Sequence, residues 1–345
     1  MKRMLRTAAV LGATVAALGA LAPVDGHAAD KIKFSSFGPQ SNPVSVCAWL
    51  NTLDAIVKAS GNAIEPEIYM GGTAFGDPAK QYDFIARGVM DMSAGVLEYK
   101  PGAFPLTEMI NLPFMVQDSE KAAVALNRVI RSQPAMMDEF KDIHLMFIAI
   151  VAPYQLHMRK PIDKLTDIKG LRIRIAGHAA TEAMKRFGGI PAPMPVTMQY
   201  ENLQKGVIDG SAATWATLLP FKLIEVTSFH YEVNFSATAG FMGMSKKAYA
   251  ALPPAAKKAV DDFSTPETAA KVSACWNTLG AQAKALAIKA GHPVKVATPA
   301  ERAEYRKVVE PVTQEVIDAA AKRGLPARKV YEALTSAIAA EEAKN

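Results

Sequence analysis

The sequence predicts an α/β protein with two lobes and largely parallel sheets. Short strand patterns alternate with helix patterns in both halves of the chain, which is typical of parallel sheets covered by helices. The 345 residues are too many for one ordinary core and sufficient for two. From Pro254 onward the sequence is almost wholly helical and rich in Ala and Lys. We expect this tail to brace both lobes and to leave a cleft between them.

The first thirty residues are typical of a secretory signal peptide. Three basic residues among the first six precede an uncharged apolar run over 7–23 and then several small residues. This run is shorter than the roughly 20 residues that a membrane-spanning helix needs, and no later stretch is apolar for long enough. We therefore expect cleavage after Ala28 or Ala29, removal of residues 1–29 and a periplasmic location. An uncleaved anchor is the alternative.

The elements follow from hydrophobic periodicity and from turn residues. In the first half, the predicted elements are a strand at 31–34, a helix over 46–57, a strand at 64–69, a helix from Asp77-Pro78 to Gly88 and a strand at 89–96. In the second half, they are a strand at 171–175, a helix over 179–187, a strand at 192–196, a helix over 197–205 and a strand at 207–212. One long helix is predicted in the tail, from about 265 to 290.

The charge and the cysteines limit the ligand and the compartment. The formal net charge is +6, and the basic residues are dispersed rather than clustered. This is weak support for an anionic ligand and argues against nucleic acid, which favours a basic stripe on one element. Cys47 and Cys275 are the only cysteines. In an oxidising compartment they could form a disulfide, and two separately buried thiols are the alternative.

Enzyme and metal signatures are missing from the sequence. The six histidines show no i, i+4 pairing and no nearby cysteine partners, so no metal site is predicted. No G-x-S-x-G motif occurs, and the glycines over 71–76 are followed by Asp77-Pro78, where a phosphate-binding loop needs Lys and then Ser or Thr. Glu65 and Glu67 share a strand face, but nothing else converges on them. We predict neither an enzyme nor a cofactor.

Residues 160–177 carry a recognisable series of motifs. They contain Pro161-Ile162, Asp167-Ile168-Lys169-Gly170 and Arg172-Ile173-Arg174-Ile175. Further agreeing segments occur at 68–73, 81–82 with Gly88, 99–106, 112–114, 206–210 and 247–253. In their order, these segments resemble the substrate-binding proteins of TRAP (tripartite ATP-independent periplasmic) transporters, the DctP-like family. The resemblance spans nearly the whole chain after the signal peptide.

The resemblance implies a two-lobed periplasmic-binding-protein fold with mostly parallel sheets, an interlobe cleft and a long bracing helix. Lobe I is expected to hold 30–152 plus about 238–280, and lobe II 153–237 plus about 281–345. The implied function is capture of a small organic carboxylate by hinge closure and delivery to the small and large TRAP membrane subunits. A monomer is expected rather than a dimer. A periplasmic ligand sensor with the same fold is the alternative function.

Arg174 is the main candidate for a ligand contact. On pattern alone, Ile173 and Ile175 face one side of a buried strand and Arg174 faces the other, which favours a surface or salt-bridged arginine. The family resemblance instead implies that the guanidinium binds a carboxylate through two parallel hydrogen bonds. Arg172 is expected to be solvated.

The other site candidates are polar or aromatic residues. The resemblance implies a polar ligand contact near Tyr154 and Gln155, either of which would donate a neutral hydrogen bond; loop residues without a ligand contact are the alternative. Relatives that bind sialic acid carry Glu-Asn-Pro after Asp-Gly, whereas this chain has residues 211–215 ending in Trp215, which disfavours a sugar acid. Residues 214–216 resemble a Pro-Trp-Glu pattern of other relatives, which implies that Trp215 forms a flat wall of the pocket, with core packing as the alternative. Ala216 in place of the glutamate weakens any cation site. Further wall candidates at strand ends or on late strands are Phe37, Tyr99 and Phe241, for which core packing is the alternative. These walls favour a monocarboxylate with an apolar or aromatic body.

Overall fold

The computed structural model describes residues 29–344. Residues 1–28 of the predicted signal peptide lie outside the described residues. Within residues 29–344, no helix is both long enough and apolar enough to cross a membrane. The strands, in chain order, are β1 (Asp30–Ser35), β2 (Ile64–Tyr69), β3 (Met92–Val96), β4 (Ile143–Val151), β5 (Gln155–Met158), β6 (Arg172–Ile175), β7 (Ile190–Pro193), β8 (Gly210–Ala213), β9 (Phe229–Glu232), β10 (Thr238–Ser245) and β11 (Val294–Val296).

The helices surround two separate sheets. In chain order they are α1 (Asn51–Ala59), α2 (Gln81–Ala86), α3 (Ser119–Ser132), α4 (Pro134–Asp138), α5 (His178–Arg186), α6 (Gln199–Gln204), α7 (Lys246–Ala251), α8 (Pro254–Phe263), α9 (Pro266–Lys289), α10 (Pro299–Lys322) and α11 (Ala327–Glu342). A wider π-helical turn over Ser45–Leu50 runs directly into α1. The mixed α/β architecture agrees with the predicted fold class.

Each sheet is mostly parallel and contains one antiparallel strand. The first sheet has the order β2-β1-β3-β10-β4, and the second has the order β11-β9-β5-β8-β6-β7. Strand β10 runs antiparallel to both of its neighbours, and so does β5. The chain passes directly from β4 of the first sheet to β5 of the second, and from β9 of the second sheet to β10 of the first. After each direct crossing, the strand runs opposite to its neighbours in the new sheet. The antiparallel strands therefore mark the connection between the lobes.

Two short segments and one long helix join the lobes. The segments are 152–154, between β4 and β5, and 233–237, between β9 and β10. They pair with each other, because the Tyr154 amide donates to the Ser236 carbonyl at 2.7 Å and the Phe235 amide donates to the Tyr154 carbonyl at 3.0 Å. Helix α9 packs on α3 and β4 in the first lobe and on residues 215–217 in the second.

Helix α9 begins and ends close to the positions that the sequence predicts. The Thr265 hydroxyl accepts a hydrogen bond from the Thr268 amide, and Pro266 occupies the first turn, so both features that start a helix are present. A disulfide joins Cys275 of this helix to Cys47 in the π-helical turn, with 6.0 Å between their Cα atoms. The sequence left this pairing open. The cross-link fixes the bracing helix to the first lobe.

The hydrophobic cores show how the C-terminal helices are shared between the lobes. Helix α10 contributes Tyr305, Val309 and Val312 to the core around the second sheet, and Ile317 further along to the core around the first. Helix α11 packs on α3 of the first lobe. Everything after about 281 was expected in lobe II, whereas α11 lies on lobe I because its buried face meets the apolar surface of α3.

Candidate ligand-binding site

A cavity lies between the two sheets, beside the ends of several strands. Its volume is about 570 Å³, including the part that opens to solvent. Both lobes, a connecting segment and the long helix contribute to its lining, which includes Phe37, Trp49, Tyr99, Tyr154, Arg174, Thr214, Phe221 and Trp276. The cavity is therefore closed only when the two lobes are together.

Arg174 of β6 lies at the polar end of this cavity and is 2% exposed. Its Nε donates to the Met194 carbonyl at 2.9 Å, and Nη1 donates to the Ala212 carbonyl at 3.2 Å. Nη2 donates to the Tyr99 hydroxyl oxygen at 3.4 Å. A guanidinium has five N–H groups, so one N–H on each Nη is left without a partner in these contacts. The protein holds the side chain rigidly and leaves a fork of two donors.

The positive charge of Arg174 has no carboxylate partner in the described part of the chain. Among the described residues that line the cavity, Arg174 is also the only one with a charged side chain. Glu98 lies nearby, but burial raises the pKa of its carboxyl to about 7, against the opposing effect of the Arg174 charge. A carboxyl that is partly protonated at neutral pH neutralises a cation poorly. An anionic ligand would supply the missing charge.

Tyr99 links the two lobes at this site. It follows β3 of the first lobe, and its hydroxyl oxygen accepts hydrogen bonds from Arg174 and from the Val196 amide, both in the second lobe. Burial raises the pKa of the Tyr99 hydroxyl, so the group stays neutral and keeps its own proton for donation. Its ring packs edge-to-face with Phe37, at 5.6 Å between centroids. Both aromatic residues predicted at these strand ends line the cavity.

Tyr154 lies in the connecting segment and also lines the cavity. Its hydroxyl bonds to that of Thr238, another lining residue. Burial raises the pKa of Tyr154 well above its ordinary value, so this hydroxyl remains a neutral hydrogen-bonding group. Because Tyr154 lies between β4 and β5, a ligand that touches it would contact a segment that connects the two lobes.

Two tryptophans form walls that the sequence analysis did not single out. Trp49 lies in the π-helical turn, and Trp276 lies on α9, immediately after the disulfide-bonded Cys275. Each occurs at an apolar position of a helix pattern, which core packing alone would explain. No local signal distinguishes a tryptophan that faces a core from one that faces a cavity between two lobes.

Three predicted ligand residues, Gln155, Phe241 and Trp215, have side chains outside the cavity lining. The Gln155 amide oxygen accepts from the Val233 and Asn234 amides at 2.8 and 3.1 Å, so this side chain holds the two connecting segments together. Phe241 packs at 5.8 Å from the Tyr82 ring in the core of the first lobe. The sequence could not predict these positions, because alternation along a strand indicates which side chains are buried but not which buried face borders the cavity.

Trp215 is the third of these residues, and it lies behind the cavity. Its indole packs against the buried imidazoles of His157 and His230, at 5.0 and 4.7 Å between ring centroids. The indole N–H donates to the Glu232 carboxylate at 2.8 Å, and that carboxylate also pairs with Lys284 of α9. Its polar atom is therefore already satisfied within the protein.

Comparisons with known proteins agree with this geometry. The family model described as bacterial extracellular solute-binding protein, family 7, matches residues 34–319. The C4-dicarboxylate-binding periplasmic protein DctP of Vibrio cholerae is 29% identical over 163 residues, which cover 46% of this chain and 48% of that protein.

Solved structures match over nearly the whole described chain. A TRAP solute-binding protein from Rhodoferax ferrireducens, solved with copurified benzoate, has a TM-score of 0.87 and 27% identity, and the match covers 90% of this chain and 98% of that one. A marine metagenome TRAP solute-binding protein specific for aromatic acid ligands, from an unidentified microbe and solved with 3-hydroxybenzoate, has a TM-score of 0.86, 26% identity and coverage of 91% and 100%. The chain therefore belongs to family 7 of the bacterial extracellular solute-binding proteins, as a periplasmic binding protein of TRAP transport and not an enzyme.

Proposed function

We propose that the protein captures a monocarboxylate with an aromatic body and delivers it to the small and large membrane subunits of a TRAP transporter. The observation that carries this proposal is the buried, unpaired guanidinium of Arg174 inside an otherwise uncharged cavity. Burying a charge without a partner is costly, so the arrangement is favourable only when an anion enters. The two remaining N–H groups match the two oxygens of one carboxylate.

The number of charges in the cavity supports a monocarboxylate rather than a dicarboxylate. A second carboxylate would lie among the rings of Trp49, Trp276 and Phe221, where the lining offers no second cation. These rings instead suit a flat apolar body, which they would contact through aromatic stacking. Two similar proteins were solved with benzoate and with 3-hydroxybenzoate, which supports the same ligand class here.

We further propose that ligand binding closes the lobes about the connecting segments 152–154 and 233–237. A carboxylate bound to Arg174 would contact the second lobe, while Tyr99 and Phe37 of the first lobe would contact the same ligand. Closure is stabilised only by a ligand that contacts both sides, so the closed form would report occupancy to the membrane subunits. Lobe I then comprises residues before 152, the chain from 238 onward that packs on the first sheet, and α11. We propose that the protein acts as a monomer.

A thermal-shift screen of the protein without its first 29 residues, freed of copurified ligand, tests the proposal. Benzoate, phenylacetate, succinate and glucuronate would be compared with the neutral analogue benzamide. A ligand at about 100 times its dissociation constant adds about 2.7 kcal/mol of stability, enough to raise the melting temperature clearly. We expect benzoate and phenylacetate to stabilise the protein and benzamide to have no effect. Stabilisation by benzamide equal to that by benzoate would refute the role of the carboxylate.

A further inference from the structure

We infer that the cavity contains a second polar subsite, formed by the indole nitrogen of Trp276 and the hydroxyl of Thr214, which selects aromatic carboxylates that carry a ring hydroxyl. The inference rests on the proposed carboxylate function and narrows its ligand class. Both residues line the same cavity as Arg174. They are 6% and 1% exposed, respectively.

Both polar atoms are buried without a hydrogen-bond partner in the described part of the chain. Three other hydroxyls of the cavity lining are satisfied within the protein. The Thr217 hydroxyl donates to the Thr214 carbonyl at 2.7 Å, and the hydroxyls of Tyr154 and Thr238 bond to each other. Buried polar side chains are paired in the great majority of cases, so each exception requires an explanation. Here the two residues that carry these atoms both line a cavity that is proposed to hold a ligand.

The two atoms belong to one region of the site. Trp276 and Gly280 lie one turn apart on the same face of α9. A Cβ atom on Gly280 would lie 3.3 Å from the Trp215 Cβ and 3.6 Å from the Ala216 amide nitrogen, so this face of α9 packs closely on the chain that follows Thr214. The indole of Trp276 and the hydroxyl of Thr214 therefore lie where the long helix meets the end of β8.

This region lies about one ring length from the arginine fork. Arg174 donates to the carbonyl of Ala212, and Thr214 comes two residues later in the same extended segment. An extended chain rises about 3.3 Å per residue, which places Thr214 about 7 Å beyond the carbonyl that holds the fork. A benzene ring with a carboxylate at one end and a hydroxyl at the other spans a comparable length.

A ring hydroxyl can both accept and donate hydrogen bonds, so it can act as the partner that each of the two atoms lacks. The Trp276 indole can only donate, and the Thr214 hydroxyl can donate or accept. A ligand hydroxyl that accepts from Trp276 and donates to Thr214 would satisfy both atoms at once. An unsubstituted ring would leave both atoms buried and unpaired, so it should bind less tightly than a ring that carries the hydroxyl.

The disulfide holds this subsite in position before a ligand arrives. Cys275 directly precedes Trp276, and its partner Cys47 lies in the π-helical turn that supplies Ser45 and Trp49 to the cavity lining. The part of α9 that carries Trp276 is thereby tied to the turn that supplies these two residues. Such preorganisation reduces the entropy that binding must remove.

The test measures the affinities of benzoate, 3-hydroxybenzoate and 4-hydroxybenzoate by calorimetry for the wild type, Trp276→Phe and Thr214→Val. We expect at least one hydroxybenzoate to bind the wild type about 3- to 10-fold more tightly than benzoate, as one net hydrogen bond implies. Each variant should bring this ratio towards one, and the ratio rather than the benzoate affinity itself is the readout, because both residues line the cavity. Thr278→Val, on the exposed side of α9, is the matched control and should keep the wild-type ratio.

Several outcomes would overturn the inference. If benzoate binds but neither hydroxybenzoate binds more tightly, the second subsite is refuted and the carboxylate function stands. A wild-type ratio that survives in both variants also refutes it, and Thr214→Val decides the matter if Trp276→Phe does not fold. If no aromatic carboxylate binds while another solute does, the proposed function itself fails, and the inference fails with it.

Discussion

Replacing Arg174 tests the centre of the proposed site. Arg174→Ala removes two charge-assisted hydrogen bonds to a desolvated carboxylate and leaves the ligand charge buried and unpaired. Truncating one member of such a pair typically costs about 2 to 5 kcal/mol. At about 1.4 kcal/mol per factor of ten, the dissociation constant for benzoate should rise about 30- to 4,000-fold.

Arg174→Lys tests whether the planar geometry of the guanidinium contributes to affinity in addition to its positive charge. A lysine keeps the positive charge but cannot bind a carboxylate through two parallel N–H groups, and it cannot also reach the carbonyls of Met194 and Ala212 in the planar arrangement of a guanidinium. We expect this variant to lose at least about tenfold in affinity, which corresponds to about 1.4 kcal/mol. Isothermal titration calorimetry with benzoate measures both variants, after circular dichroism melts have shown that they fold.

Arg172 supplies the matched control on the same strand. Its side chain is 45% exposed, and its Nη2 pairs with Asp209 Oδ1 at 2.9 Å, away from the cavity. Arg172→Ala should therefore leave the dissociation constant for benzoate within about twofold, although it can lower stability slightly. Unchanged affinity in folded Arg174→Ala, or an equal loss in both alanine variants, would refute the assignment of the carboxylate to Arg174.

Three further predictions concern stability and the wall residues. Changing Cys47 and Cys275 together to serine removes a cross-link between residues 228 positions apart. The free energy of unfolding, measured by urea melts, should fall by about 2 to 5 kcal/mol. An unchanged melt midpoint would contradict this prediction. Burial raises the pKa of Glu108 from 4.5 to about 9, so the folded protein binds this proton more tightly than the unfolded chain and loses stability as the pH rises between these values. Glu108→Gln should accordingly raise the melting temperature more at pH 8 than at pH 5, and an equal change at both values would show that this carboxyl titrates normally. Trp215→Phe should lower the melting temperature by removing the hydrogen bond to Glu232 and change benzoate affinity by less than about threefold, whereas a loss beyond tenfold would place its indole against the ligand.

Local periodicity was sufficient for most of the fold. The strands predicted at 31–34 and 64–69 agree with β1 and β2 to within two residues, and the helix predicted over 265–290 agrees with α9 to a similar extent. The strand predicted at 89–96 begins only at Met92, because the chain after Gly88 first forms a turn with Gly88 at a φ of +69°. Apolar spacing encodes the type of element well, while its first residue depends on the turn that precedes it.

The sequence by itself determined the alternation of strands and helices, the bracing helix and, through motif order, the importance of Arg174. Only the tertiary structure decided which buried residues face the cavity. Phe37 and Tyr99 line it while Phe241 packs in a core, and Trp276 lines it while the indole of Trp215 lies behind it. The physical reason is that a period of 2 or 3.6 residues specifies which side chains share a face of one element, whereas the cavity forms between faces that segments far apart in the sequence bring together.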